Sequence, residues 1–330
     1  MMPRTLVTGG AGFIGSHLAE ALVAAGHQVH VLDDLSGGYQ ANVPEGARFT
    51  KGSIVDAATV ESLFQGGKFD FVYHAAAYAA EGLSHFIRRH NYENNVLGSV
   101  NLINAAVNHG VKCFVFFSSI AVYGRGQLPM TEAMRPLPED PYGIAKYAIE
   151  LDLEAACQMF GMPYIIFRPH NVYGERQNLN DRFRNVVGIF CRQLLSGEPL
   201  CIFGDGLQTR AFTYICDIAG TLAAAVNAPS AYNRIFNIGS DVPVSVLDLA
   251  RMMQQIAGDR SEIRHLPARH EVVHAFSSHA AIDEVFPNRP MTPLLEGLNR
   301  TYSWAKTQTL LPYSKPCPIE VPLKLPPHWA

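Results

Sequence analysis

The sequence has little that would fix it by covalent or strongly ionic means. Its six cysteines (Cys113, Cys157, Cys191, Cys201, Cys216 and Cys317) form no CxxC pair. Their spacing suits neither a zinc site nor the disulfide framework of a small secreted domain, so no metal is expected. Most stand in apolar runs, as in Lys112-Cys113-Phe114-Val115, where a thiol behaves as a small buried hydrophobe. Charge is sparse as well: 17% of residues are charged and the formal net charge is −3. That balance gives no basic surface for nucleic acid or an anionic membrane. Arg182, Arg184 and Arg192 cluster, but such a group by itself reads as a solvated helix face. No apolar run is long enough to span a bilayer, and no basic leader precedes the first β-type run, so a cytoplasmic protein is expected.

What is present is a filled core. The 330 residues are 48% hydrophobic, with a mean hydropathy of +0.04, and exceed what one ordinary core organises. In the first half, β-type runs rich in Val, Ile, Phe and Tyr (4–8, 28–32, 69–74, 112–117 and 164–167) alternate with helical patterns. The helices are expected at 14–25, 57–65, 94–109 and 142–160. Such alternation implies crossover connections and an α/β, doubly wound parallel sheet. After Arg168 the rhythm becomes irregular, with a helix at 185–195, a strand and helix over 212–226, a strand at 235–238 and a helix at 246–257. The expected organisation is a nucleotide-binding domain over 1–170, to which 211–238 returns, and a smaller interleaved C-terminal substrate domain over 171–305. The remaining 306–330 carry Pro312, Pro316, Pro318, Pro322, Pro326 and Pro327, which predict an extended tail with little regular structure.

The segment Thr8-Gly9-Gly10-Ala11-Gly12-Phe13-Ile14-Gly15 follows the first strand and opens the first helix. Glycines at that junction allow a tight turn, close approach of a diphosphate, and packing of helix on strand. The helix N-terminus then offers free N–H groups and a positive dipole end to phosphate. Asp33 closes the second strand, where a carboxylate accepts hydrogen bonds from ribose hydroxyls and repels a 2′-phosphate. The pattern predicts NAD rather than NADP.

Tyr142-Gly143-Ile144-Ala145-Lys146 places a phenol and an ammonium on one helical face. A nearby cation favours the phenolate, and bringing a phenol from about 10 to about 7 requires roughly 4 kcal/mol of differential stabilisation. Ser119 ends a strand, in the crevice where doubly wound sheets bind ligands, and can share with Tyr142 one substrate oxygen. Ser118 and Tyr123 read as structural or substrate-facing.

With these motifs go His74-Ala75-Ala76-Ala77, Asn94-Asn95-Val96-Leu97-Gly98-Ser99, Arg168-Pro169-His170-Asn171-Val172-Tyr173-Gly174, Phe203-Gly204-Asp205-Gly206 and Phe236-Asn237-Ile238-Gly239. In this order they resemble the extended short-chain dehydrogenase/reductases of the NAD-dependent epimerase/dehydratase family, UDP-glucose 4-epimerases included, as far as about Lys306. The resemblance implies a Rossmann-type sheet, a homodimer through helices 94–109 and 142–160, and Ser119, Tyr142 and Lys146 as the catalytic triad. It implies further cofactor contacts from Phe13, Ile14, Asp34, Ser53, Ile54, Ala75, Ala76, Ala77, Asn94, Ser118 and Pro169. Substrate contacts are implied for Ser84, Arg88, Asn95, Ala121 and Phe203, with Asn171, Arg210 and Arg269 holding the diphosphate of a nucleotide sugar. Three positions depart from the family pattern: Ser53 stands where an adenine-contacting Asp is common, Ala211 replaces an acid, and Ser278-His279 replaces an Asp.

The family shares one opening step: Tyr142 removes a proton from a sugar hydroxyl while NAD⁺ takes hydride from the same carbon. Similar dehydratases carry an Asp-Glu pair where this chain has Ile120 and Ala121, and similar 3,5-epimerases carry a cysteine at the latter position. Elimination and 3,5-epimerisation are therefore disfavoured, whereas a 4-epimerase needs only the triad and room for the keto sugar to turn. The expectation is a UDP-hexose 4-epimerase acting on UDP-glucose and UDP-galactose, with Phe276 beside the sugar's C2 substituent excluding an N-acetyl group. The alternatives are a UDP-glucuronate 4-epimerase (Arg88 meeting the carboxylate), a 2- or 3,5-epimerase, a net sugar oxidoreductase, and a non-catalytic NAD-binding regulator.

Overall fold

The computed structural model describes residues 2–126, 128–183, 185–258, 261–268, 272–313, 317–326 and 329. Its centre is a seven-stranded sheet of β1 (Arg4–Thr8), β2 (Gln28–Asp33), β3 (Arg48–Lys51), β4 (Phe71–His74), β5 (Cys113–Phe117), β6 (Tyr164–Pro169) and β7 (Arg234–Ile238). All neighbours are parallel, in the order β7-β6-β5-β4-β1-β2-β3. This is the Rossmann-type α/β sheet expected of the alternating pattern, and the strand order reverses between β1 and β4. Only β3 gave no β-type run in the sequence. It is an edge strand with two exposed and two half-buried residues, so neither alternation nor an apolar run marks it.

Alternation along each strand feeds two apolar clusters, one on each face. Val115 and Phe117 pack with helices Phe13–Ala24 and Ile215–Ala224, whereas Phe114 and Phe116 pack with helices Ala57–Gly67, Gly98–Asn108 and Pro141–Phe160. The first cluster also takes in Val187, Phe190, Leu200, Leu249, Met253 and Leu298 from the C-terminal half. Beyond the main sheet, the described residues form three small sheets: Val172–Tyr173 with Thr213–Tyr214, Leu200–Phe203 with Ile263–Leu266, and Thr209–Ala211 between Pro243–Ser245 and His274–Ala275.

Three local features position the site. Helix Phe13–Ala24 begins at Gly12, with no side-chain cap and no acidic residue in its first turn, so its leading N–H groups are left for a ligand. Helix Pro141–Phe160 starts with proline after Asp140, whose carboxylate accepts the Gly143 N–H at 2.9 Å, and stops at left-handed Gly161. Asn94 and Asn95 sit in a π-helical turn, Glu93–Leu97, that joins Arg88–Tyr92 to Gly98–Asn108, a distortion frequent at functional sites.

Candidate active site

A cleft of about 900 Å³ crosses the C-terminal ends of β1, β4, β5 and β6, within the usual range for a ligand site. Its cofactor end is built by close backbone approach. Gly9 lies at φ +71°, and a Cβ there would stand 2.6 Å from the Ala76 nitrogen; one on Gly15 would stand 2.1 Å from the Gly9 oxygen. Asp33 accepts the Ala11 N–H at 3.0 Å and the Leu35 N–H at 2.8 Å, so the carboxylate holds the glycine loop while facing the cleft. Burial raises its pKa, against these hydrogen bonds. The close-packed glycine loop and the Asp33 carboxylate at the cleft fit NAD. Asp33→Ser is expected to weaken NAD and narrow its preference over NADP by about 1–3 kcal/mol, the scale of a lost charge-assisted hydrogen bond; titration of the apoprotein with both cofactors checks this.

At the other end of the triad's helix face, Tyr142 is buried yet lines the cleft. The Lys146 ammonium donates to the Phe117 carbonyl at 2.7 Å and lies 4.7 Å from the Phe116 ring centre and 5.8 Å from that of Tyr142. Burial pulls its pKa down to about 7, with the Glu150 carboxylate acting to raise it. Ser119 Oγ accepts the Ala121 N–H at 3.1 Å and stands half-buried at the end of β5. Behind the triad runs a buried polar network the sequence did not disclose. Ser118 donates to Glu150, which pairs with Arg168 (2.9 Å and 2.5 Å); Arg168 donates to Tyr123 (2.7 Å), which donates to Asn237 (2.8 Å). The one available signal was the 142/146/150 spacing, which sets all three on one helix face.

Of the expected cofactor contacts, Gly9, Gly12, Phe13, Ile14, Gly15, Asp33 and Asp34 line the cleft, as do Ile54, Ala75, Ala76, Ala77, Asn94, Ser118 and Pro169. So do Ser119, Ala121, Asn171, Phe203 and Arg210 on the substrate side. Asn171 takes a left-handed φ of 41°, which asparagine tolerates. The Arg210 guanidinium is aimed by the carbonyls of Thr209, Val272 and Val273.

Five residues are not brought there. Ser53 caps its own turn through Val55 N–H, leaving Gly52 and Ile54 at the cleft. Ser84 turns inward onto the Glu81 carbonyl, and Asn95 spends its amide on Tyr78 and Asn91. Arg88 is exposed at a helix start. Phe276 gives way to Ala275 as the lining residue; successive strand side chains face opposite ways, so a one-residue offset changes the wall. Arg269 and Arg184 lie outside the described residues. Arg192 is no solvated surface charge: it is buried, bonded to Asn180 at 2.6 Å, and Arg182 lines the cleft. Among the described residues no group of His, Cys, Asp and Glu could hold a metal, and no helix is long and apolar enough to cross a membrane.

The departure at 279 places a second histidine beside His170. His170, at the cleft wall, donates Nδ1–H to the carbonyl of Ala211 at 2.9 Å, and its Nε2 lies 3.0 Å from Nε2 of His279. The ring planes lie at 23° to each other, and His279 Nδ1 reaches Asp241 at 2.5 Å. Burial, then His279, pulls His170 down to about 3, with Arg289 acting the same way and Asp241 opposing. Unfolded, it would titrate near 6.5, so the unfolded chain binds more protons between these values and stability falls as pH drops from 6.5 toward 3. Thermal unfolding from pH 7 to 4 should show a steeper decline in the wild type than in His170→Phe.

A family model described as NAD-dependent epimerase/dehydratase matches residues 5–239. A putative UDP-glucose 4-epimerase of Methanocaldococcus jannaschii is 34% identical over 91% of this chain and 98% of its own. A UDP-N-acetyl-alpha-D-glucosaminuronate decarboxylase of Bacillus cytotoxicus is 32% identical over 92% and 98%. The structure of Thermus thermophilus UDP-glucose 4-epimerase in complex with NAD has a TM-score of 0.86 at 32% identity, covering 93% of this chain and all of its own. By glycine cradle, triad, sheet and these matches, the chain is an enzyme of the NAD-dependent epimerase/dehydratase family, with NAD as its cofactor.

Proposed function

We infer that this enzyme is a nucleotide-sugar 4-epimerase, with UDP-glucose and UDP-galactose as the first pair to test. The observation that carries the reading is the composition of the catalytic wall. Ser119, Tyr142 and Lys146 are present, while Ile120 and Ala121, which also line the cleft, offer no group for elimination or for a second epimerisation. Tyr142 takes the proton of the C4 hydroxyl, Ser119 hydrogen-bonds the same oxygen, and Lys146 stabilises the phenolate. NAD⁺ when bound supplies the hydride acceptor and its return to the opposite face. Asn171 and Arg210 hold the diphosphate. Ala275 rather than Phe276 at the wall removes the steric argument against an N-acetyl group, so N-acetylated hexoses join the candidates; the exposure of Arg88 removes the argument for a uronate drawn from it.

The test is NMR of products from UDP-glucose, UDP-galactose, UDP-glucuronate and their N-acetyl relatives, with no cofactor added. Interconversion at C4 of one pair is the expected result. No change even with NAD supplied rejects the reading for UDP-sugars. A homodimer is part of the proposal: Leu97, Ile144 and Leu151 are 49%, 43% and 49% exposed on the two helices concerned, an apolar face that a second copy would cover. Sedimentation should give a dimer for the wild type and a monomer for Leu151→Glu.

A further inference from the structure

After helix Leu294–Ala305 the described residues form no α-helix or β-strand, yet they are stitched to the molecule at three places. Leu311 N–H donates to Asn180 at 2.9 Å, and the Arg192 guanidinium lies 4.0 Å from the Tyr313 ring centre. The Glu320 carboxylate accepts the N–H groups of Arg89 (2.7 Å) and His90 (2.9 Å), while the N–H groups of Glu320 and Val321 donate to the Phe86 carbonyl (2.8 Å and 3.1 Å). Finally, Arg182 donates to the Trp329 carbonyl at 2.9 Å.

Trp329 is 7% exposed and lines the cleft. Its ring meets Phe86 edge-on at 6.0 Å and Phe183 at 5.5 Å, and it shares an apolar cluster with Tyr78, Ala80, Leu83 and Ile87. These neighbours come from two separate parts of the chain: 78–87 follows β4, and Phe183 precedes helix Val186–Leu195. The indole therefore bridges the segment after β4 to the opposite wall. The relatives described above match 91–93% of this chain while being covered over 98–100% of their own length.

We propose that Trp329 forms a wall of the cleft and is a specificity-determining residue, limiting the bulk of the sugar that turns over against it. This rests on the nucleotide-sugar reading above. A flat, buried indole offers a broad apolar surface to the C–H face of a pyranose. A reaction in which a keto sugar must present its second face needs a wall that leaves room to turn and prevents escape.

The experiment compares wild type, Trp329→Ala, Trp329→Phe, Glu320→Gln and a chain ending after Thr309, each with its melting temperature. Trp329→Ala is expected to weaken UDP-sugar binding about tenfold while UDP itself changes less than about twofold, since only the sugar loses contacts. The same variant should favour bulkier sugars and release keto sugar, which borohydride traps as an epimeric alcohol mixture. Trp329→Phe should restore most of the affinity, and Glu320→Gln should lie between. Unchanged sugar affinity and preference in a Trp329→Ala protein of normal melting temperature overturns the proposal, and so does an equal loss of UDP affinity. If the truncated chain fails to fold, the three point variants decide. If no sugar reacts with wild type, the function above fails, and the difference between UDP and UDP-sugar affinities still tests the wall.

Discussion

Tyr142→Phe should lower the C4 interconversion rate by about three orders of magnitude, the scale of general acid–base catalysis, with bound NAD and melting temperature unchanged. The ring is buried and stays in place; only the oxygen to which the proposed function assigns the proton transfer is lost. Lys146→Met should be nearly as damaging, through the loss of the cation that favours the phenolate. The pH profile separates the two roles. Burial holds Lys146 to about 7, well under the ordinary lysine value, so in the free enzyme the cation is present below that pH and lost above it. The Glu150 carboxylate opposes that shift. Replacing it by Gln therefore moves the alkaline limb of kcat/KM to lower pH, whereas a purely structural role for Glu150 would lower the rate at every pH equally.

How much of this was legible in the sequence follows from the range of the interactions. The glycine loop, Asp33 and the Tyr142/Lys146 pair are set by spacing within one turn or one crossover unit, and the sequence displays them directly. The parallel sheet was legible because each buried strand is an apolar run, and β3 was missed because an exposed edge has none. Contacts across the fold were out of reach. Nothing in the sequence pairs Glu150 with Arg168 or His170 with His279, because those meetings depend on how β6 and the C-terminal half pack. Phe276 and Ala275 show the sharpest limit: a motif located within one residue still leaves open which side chain faces the cleft. Prolines mark a segment without regular structure but not its attachments, and irregular backbone can still be held, here by Glu320 and Trp329.

The second large effect should come from Arg168. Its guanidinium and the Glu150 carboxylate are 2% and 3% exposed, so each is tolerable only beside the other. Arg168→Met leaves an uncompensated buried carboxylate and should cost about 3–5 kcal/mol of stability in urea denaturation. Glu150→Leu in the same chain removes that charge, and most of the loss should return, because replacing a buried pair by apolar groups of similar volume is often neutral or better. Tyr123 retains Asn237 as its acceptor in the double variant, whereas Ser118 loses the acceptor that fixes it beside Ser119. Stability and catalysis should therefore separate: the double variant recovers its unfolding midpoint but not the wild-type rate. Equal recovery of both would mean that the network holds the sheet and the helix together without positioning the catalytic wall.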